Sequence, residues 1–166
     1  MMTTSTIKSA VSLAVIGLCL STGAAASDRD FRYFAEIGAG KSRLATGPVS
    51  EDLNAASFAA GIVSSDYGSL SLEHVRTLDD INGFDWNVTL VRTQFERNPL
   101  RDGWSWYGSL NANRVSAGSN VSSSTGFNVG AGLGVRYQRG DHRLFVNADL
   151  YNSDFGYLGA GYRHAF

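Results

Sequence analysis

From Phe31 to Phe166 apolar side chains alternate with small or polar ones in eight successive runs, and no helical stripe interrupts them. A period of two marks strands with two unlike faces. The runs cover roughly 31–40, 55–63, 68–78, 84–95, 104–114, 126–138, 143–151 and 156–166, with clusters of Gly, Asp, Asn and Ser between them. The clearest is the sixth, where Phe127, Val129, Ala131, Leu133, Val135 and Tyr137 alternate with Asn128, Gly130, Gly132, Gly134, Arg136 and Gln138. The pattern predicts an all-β chain of eight antiparallel strands, and abundant glycine with scarce proline favours a sheet over a helical bundle.

Alternation alone does not say where the apolar face points, because one face of a soluble sandwich is apolar too. Aromatic placement discriminates. Phe31 and Tyr33, Phe84 and Trp86, Trp104 and Trp106, and Tyr162 with Phe166 stand toward strand ends on the apolar parity. Smaller aliphatics lie between them, as in a lipid-facing band with two aromatic girdles. Arg76, Arg92 and Arg114 share that parity near strand ends, where a long side chain reaches the headgroups. The second run is the least distinct, since both its faces are small and apolar. His74 falls on the lipid parity because the alternative turns Glu73 outward at greater cost.

The other parity, rich in Gly, Asn and Ser, suits the inside of a narrow barrel, and eight strands leave an interior that side chains fill. Arg32, Glu36, Glu73, Asp85, Arg136, Asp149 and Arg163 all fall on it, three bases against four acids. Buried charges must pair, so this parity predicts an ion-pair network that plugs the lumen. The every-second-residue spacing of Gly130, Gly132 and Gly134 is that of glycines clearing space in such a lumen.

The first 26 residues have the form of a secretory signal: Lys8, an apolar run from Ala10 to Leu20, and the small-residue site Ala24-Ala25-Ala26. Cleavage there leaves a single domain, 27–166, which carries no cysteine because Cys19 departs with the signal. The apolar run is too short to span a bilayer, which takes about 20 residues as a helix. Thirteen bases against fifteen acids in the remainder give nucleic acid no purchase. Nothing indicates a cofactor or metal: EIGAGKS at 36–42 ends like a phosphate-binding loop, but Ala35 stands where its first glycine belongs. Arg139-Gly140-Asp141 is ordinary hairpin-turn chemistry.

With both termini on the periplasmic side, the outer connections are 41–54, 79–83, 115–125 and 152–155, and the inner ones are 64–67, 96–103 and 139–142. The two longest then face outward, as this architecture requires, while 96–103 is long for an inner turn. Lys41, Arg43, Arg76 and Arg114 stand toward the outer side, placed to meet phosphate groups.

At this point the sequence resembles the small eight-stranded outer-membrane barrels of Gram-negative bacteria, the OmpA-like or OmpX-like porin-family proteins. The resemblance is carried by the signal with its Ala24-Ala25-Ala26 site, GFNVGAGLGVRY at 126–137, the acidic seventh strand with Asp149, and GYLGAGYRHAF at 156–166. It implies an up-and-down transmembrane barrel in the cell outer membrane, monomeric and without cofactor, surrounded by lipid and lipopolysaccharide. Leu158, Tyr162 and Phe166 look like the terminal signal that the outer-membrane assembly machinery reads. The implied role is structural or surface-interacting, through loops 41–54 and 115–125. Two other activities are compatible with the group, a narrow ion channel and a lipid A deacylase. For the deacylase, Tyr151-Asn152-Ser153 has tyrosine where the base histidine belongs, which leaves His74 as the histidine nearest the outer side.

Overall fold

The computed structural model describes residues 31–166 apart from 47–48, 67, 80–84 and 119–122, so the expected signal segment 1–26 lies outside it, as does Phe84. Eight strands follow one another: β1 (Phe31–Thr46), β2 (Val49–Ser64), β3 (Gly68–Thr77), β4 (Asp85–Phe95), β5 (Gly103–Gly118), β6 (Ser123–Arg139), β7 (His142–Leu150) and β8 (Phe155–Ala165). Each pairs antiparallel with its sequence neighbours, and β1 pairs with β8 from Phe34↔Ala165 to Leu44↔Phe155, which closes the barrel. Closure leaves no sheet edge along the barrel wall.

Opposite partners can be followed from Trp104 through Tyr137, Leu144, Tyr162, Ile37, Phe58, His74 and Thr89 back to β5. The track returns at Arg114, ten residues along the strand from where it began. That stagger tilts the strands and sets the width of an eight-stranded barrel narrow enough for side chains to fill.

The faces divide as the alternation requires. Leu133 and Val146 are 65% and 53% exposed, while Arg136 and Asp149 are 1% and 3% exposed. A soluble barrel would have turned these sets the other way. Phe31, Ile37, Leu72, Trp106, Phe127 and Leu158 also stand on the outside. The indistinct second run resolves with Leu53, Ala55, Ala59 and Val63 inward and Phe58 outward.

Strand β4 is the exception, and it corrects the expectation. Trp86, Val88, Leu90 and Arg92 point inward, and Asp85 is exposed on the outer face. Pairing forces opposite residues onto one face: Thr89 lies opposite the outward His74, so Leu90, opposite Glu73, must be inward. The outcome is favoured because Arg92 inside meets two carboxylates. Turned outward it would lie on the apolar surface beside Leu72 and Leu110, leaving those acids unpaired. Trp86, Val88 and Leu90 lose nothing by the inversion, since an apolar cluster receives them.

The segments expected as long loops are also largely strand. β1, β2, β5 and β6 run to 16, 16, 16 and 17 residues, against 9 to 11 for the other four. About 9–11 tilted residues cross a bilayer, so the excess forms two paired ribbons rising from one end, the mouth. Their ladders reach Thr46↔Val49 and Gly118↔Ser123. Polar side chains do not stop a ladder whose backbone groups already face a partner in register. The opposite end, where β1 begins and β8 finishes, is the base.

Candidate functional site

Three layers fill the interior from base to mouth. The base layer is closed by the connection between β4 and β5. Glu96 on that connection is buried and receives both Arg136 Nε and, at 3.3 Å, Arg143 Nη2. The same arginines donate to backbone carbonyls of the connection: Arg143 to Pro99 at 2.7 Å, and Arg136 to Arg101 at 2.9 Å and Asn98 at 3.2 Å. Asn98 adopts a left-handed φ of 54°, which asparagine tolerates, and its N–H donates to the Asp66 carbonyl. Leu100 packs on Phe34, Val63 and Ala165. The length that is anomalous for an inner turn is therefore the length needed to fold back as a plug.

The middle layer is charged. Arg163 donates to Glu36 and Gln94, each at 2.7 Å, and its guanidinium lies 3.8 Å from the centre of the Phe34 ring. Arg92 Nη2 lies 2.9 Å from Asp149 Oδ2 and 3.0 Å from Glu73 Oε2. The two contacts are unequal: Asp149 accepts a hydrogen bond, while Glu73 Oε2 is held by charge without hydrogen-bond geometry. Asn147 also donates to Asp149.

The mouth layer is apolar. Leu53, Ala55, Val75, Trp86, Val88, Leu90, Val115, Tyr151 and Tyr157 form one buried cluster, with the Trp86 and Phe155 rings edge-to-face at 5.2 Å. An ion moving along the axis meets paired charges and then this desolvated layer.

Three aromatic rings in the wall interior depend on glycine. A Cβ on Gly134 would come within 2.3 Å of the Tyr107 ring, one on Gly159 within 2.3 Å of Tyr157, and one on Gly161 within 2.3 Å of Phe145. On Gly38 it would lie 3.4 Å from the Tyr157 hydroxyl and 2.6 Å from Ser57 Oγ. Rings lying flat over these positions leave no room for a larger residue.

Of the charges expected inside, Glu36, Glu73, Arg136, Asp149 and Arg163 are buried in the lumen. Arg32 sits at the base rim, 2.7 Å from Asp141 in the β6–β7 turn, and this hydrogen bond holds the Asp141 carboxyl below its usual range. Asp85 is outside. Sequence reasoning missed Arg92, Glu96 and Arg143, which bring the buried charges among the described residues to four acids and four arginines. The imbalance of three bases against four acids was the available signal, and Arg143 shares the parity of Asp149 on β7.

On the outside of the mouth half, Arg114 lies opposite Thr89 and Arg76 opposite Asn87, so the two arginines occupy adjacent rows on β3–β5. His74 is in the first row, with its Nδ1 2.9 Å from Thr89 Oγ1 and its ring 5.3 Å from that of Phe58. Lys41 and Arg43 are exposed on β1, Arg43 opposite Asp52. In β8, Leu158 is exposed and Tyr162 stacks with His142, while the Phe166 N–H donates to the Tyr33 carbonyl at 2.9 Å.

These features define a closed eight-stranded antiparallel barrel, apolar outside and charged within. No protein-family model and no curated protein matches the chain. Solved structures share its fold at low identity. Neisserial surface protein A superposes with a TM-score of 0.58 at 18% identity, covering 83% of this chain and 98% of its own. The N-terminal β-barrel domain of Pseudomonas aeruginosa OprF gives 0.56 at 15%, with 80% and 97% covered. Ail, the attachment invasion locus protein of Yersinia pestis, gives 0.54 at 13%, with 83% and 100% covered, in a complex with the heparin analogue sucrose octasulfate.

Proposed function

We propose that this chain is a monomeric outer-membrane barrel, exported by the signal segment 1–26, that is closed to solutes and works as a structural or surface-interaction protein. The observation that carries the reading is the inversion of faces: a continuous apolar exterior around a lumen of paired charges. Such an exterior is far larger than the apolar patches soluble monomers expose. The base faces the periplasm, since the long ribbons belong outside. Leu158, Tyr162 and Phe166 then lie on the seam strand that the assembly machinery engages.

The β1–β2 and β5–β6 ribbons replace the loops as contact elements. They rise from opposite sides of the ring, with two strands between them on either side. Lys41, Arg43, Arg76 and Arg114 meet lipopolysaccharide phosphates below and along them, and a polysulfated sugar held by a barrel of this fold supports a polyanion partner. His74, bonded to Thr89 and set against Phe58 on the apolar exterior, favours a packing role over hydrolysis of lipid A.

The test is expression with its own signal, followed by fractionation and planar-bilayer recording. The expected result is a chain in the outer-membrane fraction that needs detergent for extraction and gives a silent bilayer. Recovery in the soluble periplasmic fraction refutes the membrane reading; discrete conductance refutes the closed lumen.

A further inference from the structure

The base plug carries more cations than its own contacts use. Arg136 and Arg143 are taken up by Glu96 and by backbone carbonyls. Arg97 and Arg101, four residues apart on the same connection, are exposed, and among the described residues neither side chain makes an ion pair or hydrogen bond. Both line a cavity of about 380 Å³ together with Asn98, Asp102, Trp104 and Arg136. Asp102 is the one carboxylate among these lining residues, and it is occupied, accepting from the Gly140 N–H at 2.8 Å. The cavity therefore presents two guanidinium groups that make no ion pair among the described residues.

Its surroundings narrow the ligand. Phe95 ends β4 and Trp104 begins the outward face of β5, and both are exposed, at 53% and 76%. The cavity opens at the level of these strand ends, where aromatic girdles meet headgroups. Guanidinium forks match phosphate oxygens in geometry as well as charge, and an interfacial indole offers an apolar surface beside them. A free anion would have use for the arginines but not for the exposed rings.

We propose that this cavity is a phospholipid headgroup site, in which Arg97 and Arg101 hold the phosphodiester of a lipid from the periplasmic leaflet while its glycerol and acyl chains lie on Trp104. The site rests on the membrane reading above and adds a ligand at the end of the barrel away from lipopolysaccharide. Basic pockets at a membrane face take anionic headgroups by the same chemistry.

The experiment is native mass spectrometry of the detergent-solubilised full barrel offered equal amounts of phosphatidylglycerol and a phosphate-free galactosyl diacylglycerol. Wild type retains phosphatidylglycerol with at least about tenfold preference. The Arg97→Gln/Arg101→Gln variant loses that preference. This variant leaves the Arg136–Glu96 and Arg143–Glu96 pairs intact, and heat-modifiable gel mobility checks that it is folded. Equal retention of both lipids by wild type, or a preference that survives the double substitution, overturns the site. So does inorganic phosphate bound with the same arginine dependence while no lipid is retained, which would make it a free-anion site. A chain soluble without detergent fails the membrane reading itself; a folded, detergent-requiring barrel indifferent to phosphatidylglycerol fails only this site.

Discussion

Replacing Arg92 by methionine removes a charge from the middle of the lumen while keeping a long flexible side chain there. Its two contacts, at 2.9 Å to Asp149 and 3.0 Å to Glu73, lie among side chains that are 1–2% exposed. At an effective dielectric of about 20 each represents gross attraction of about 5 kcal/mol, most of which offsets the cost of taking the ions out of water. Without the cation that cost stands uncompensated for two neighbouring carboxylates. Arg92→Met is therefore expected to lose about 3–5 kcal/mol, the range for breaking a buried pair from one side. The measurement is reversible urea unfolding in lipid vesicles or micelles, followed by tryptophan fluorescence. The variant Arg92→Met/Glu73→Gln/Asp149→Asn is expected to recover most of the loss, because neutral amides need far less compensation. Between the two acids, Asp149→Asn should cost more than Glu73→Gln, since only Asp149 holds Arg92 in hydrogen-bond geometry. An Arg92→Met barrel within about 1 kcal/mol of wild type would refute the reasoning. A triple variant no better than the single would show that packing, not charge, was lost.

Two other outcomes follow from the geometry. Nitroxides attached to Val91→Cys and Leu90→Cys, in a chain whose only native cysteine is Cys19, should divide sharply: oxygen in the bilayer relaxes the label at 91 and not the one at 90. The reverse would restore the facing of β4 read from its apolar residues. Gly134→Ala should destabilise by about 1–3 kcal/mol through overpacking against the Tyr107 ring, and less in a Tyr107→Leu background, where the ring is gone. Equal losses in both backgrounds would remove the ring as the cause.

Much of the fold was legible because alternation is a local property. The eight runs differ from the strands by only a few residues at the base, and six of the seven facings read from the sequence match, since those strands carry one clearly apolar face; the second run, small and apolar on both faces, gave none. The candidate site was legible in part. Glu36, Arg136, Asp149 and Arg163 are read directly from the polar parity of strands whose other face is unambiguous. Strand β4 resisted because each of its parities carries a good reason to face inward: Asp85 and Asn87 on one, Arg92 and Gln94 on the other. Only cross-strand neighbours choose between them.

By itself, then, the sequence determined eight successive two-faced strands, because side-chain period depends on near neighbours alone, whereas the seam that closes the wall joins Phe34 to Ala165 at the far end of the chain. It also determined that the apolar face lies outward, because glycine, serine and paired charges fill a narrow interior that aliphatics would overfill. Tertiary structure alone decided which arginine meets which acid, that the β4–β5 connection folds back onto Glu96 as a plug, and that Arg97 and Arg101 are left beside Trp104. The ion pairs Arg92–Asp149, Arg136–Glu96 and Arg143–Glu96 join residues 40 or more apart along the chain, brought level by the ten-residue stagger of the strands.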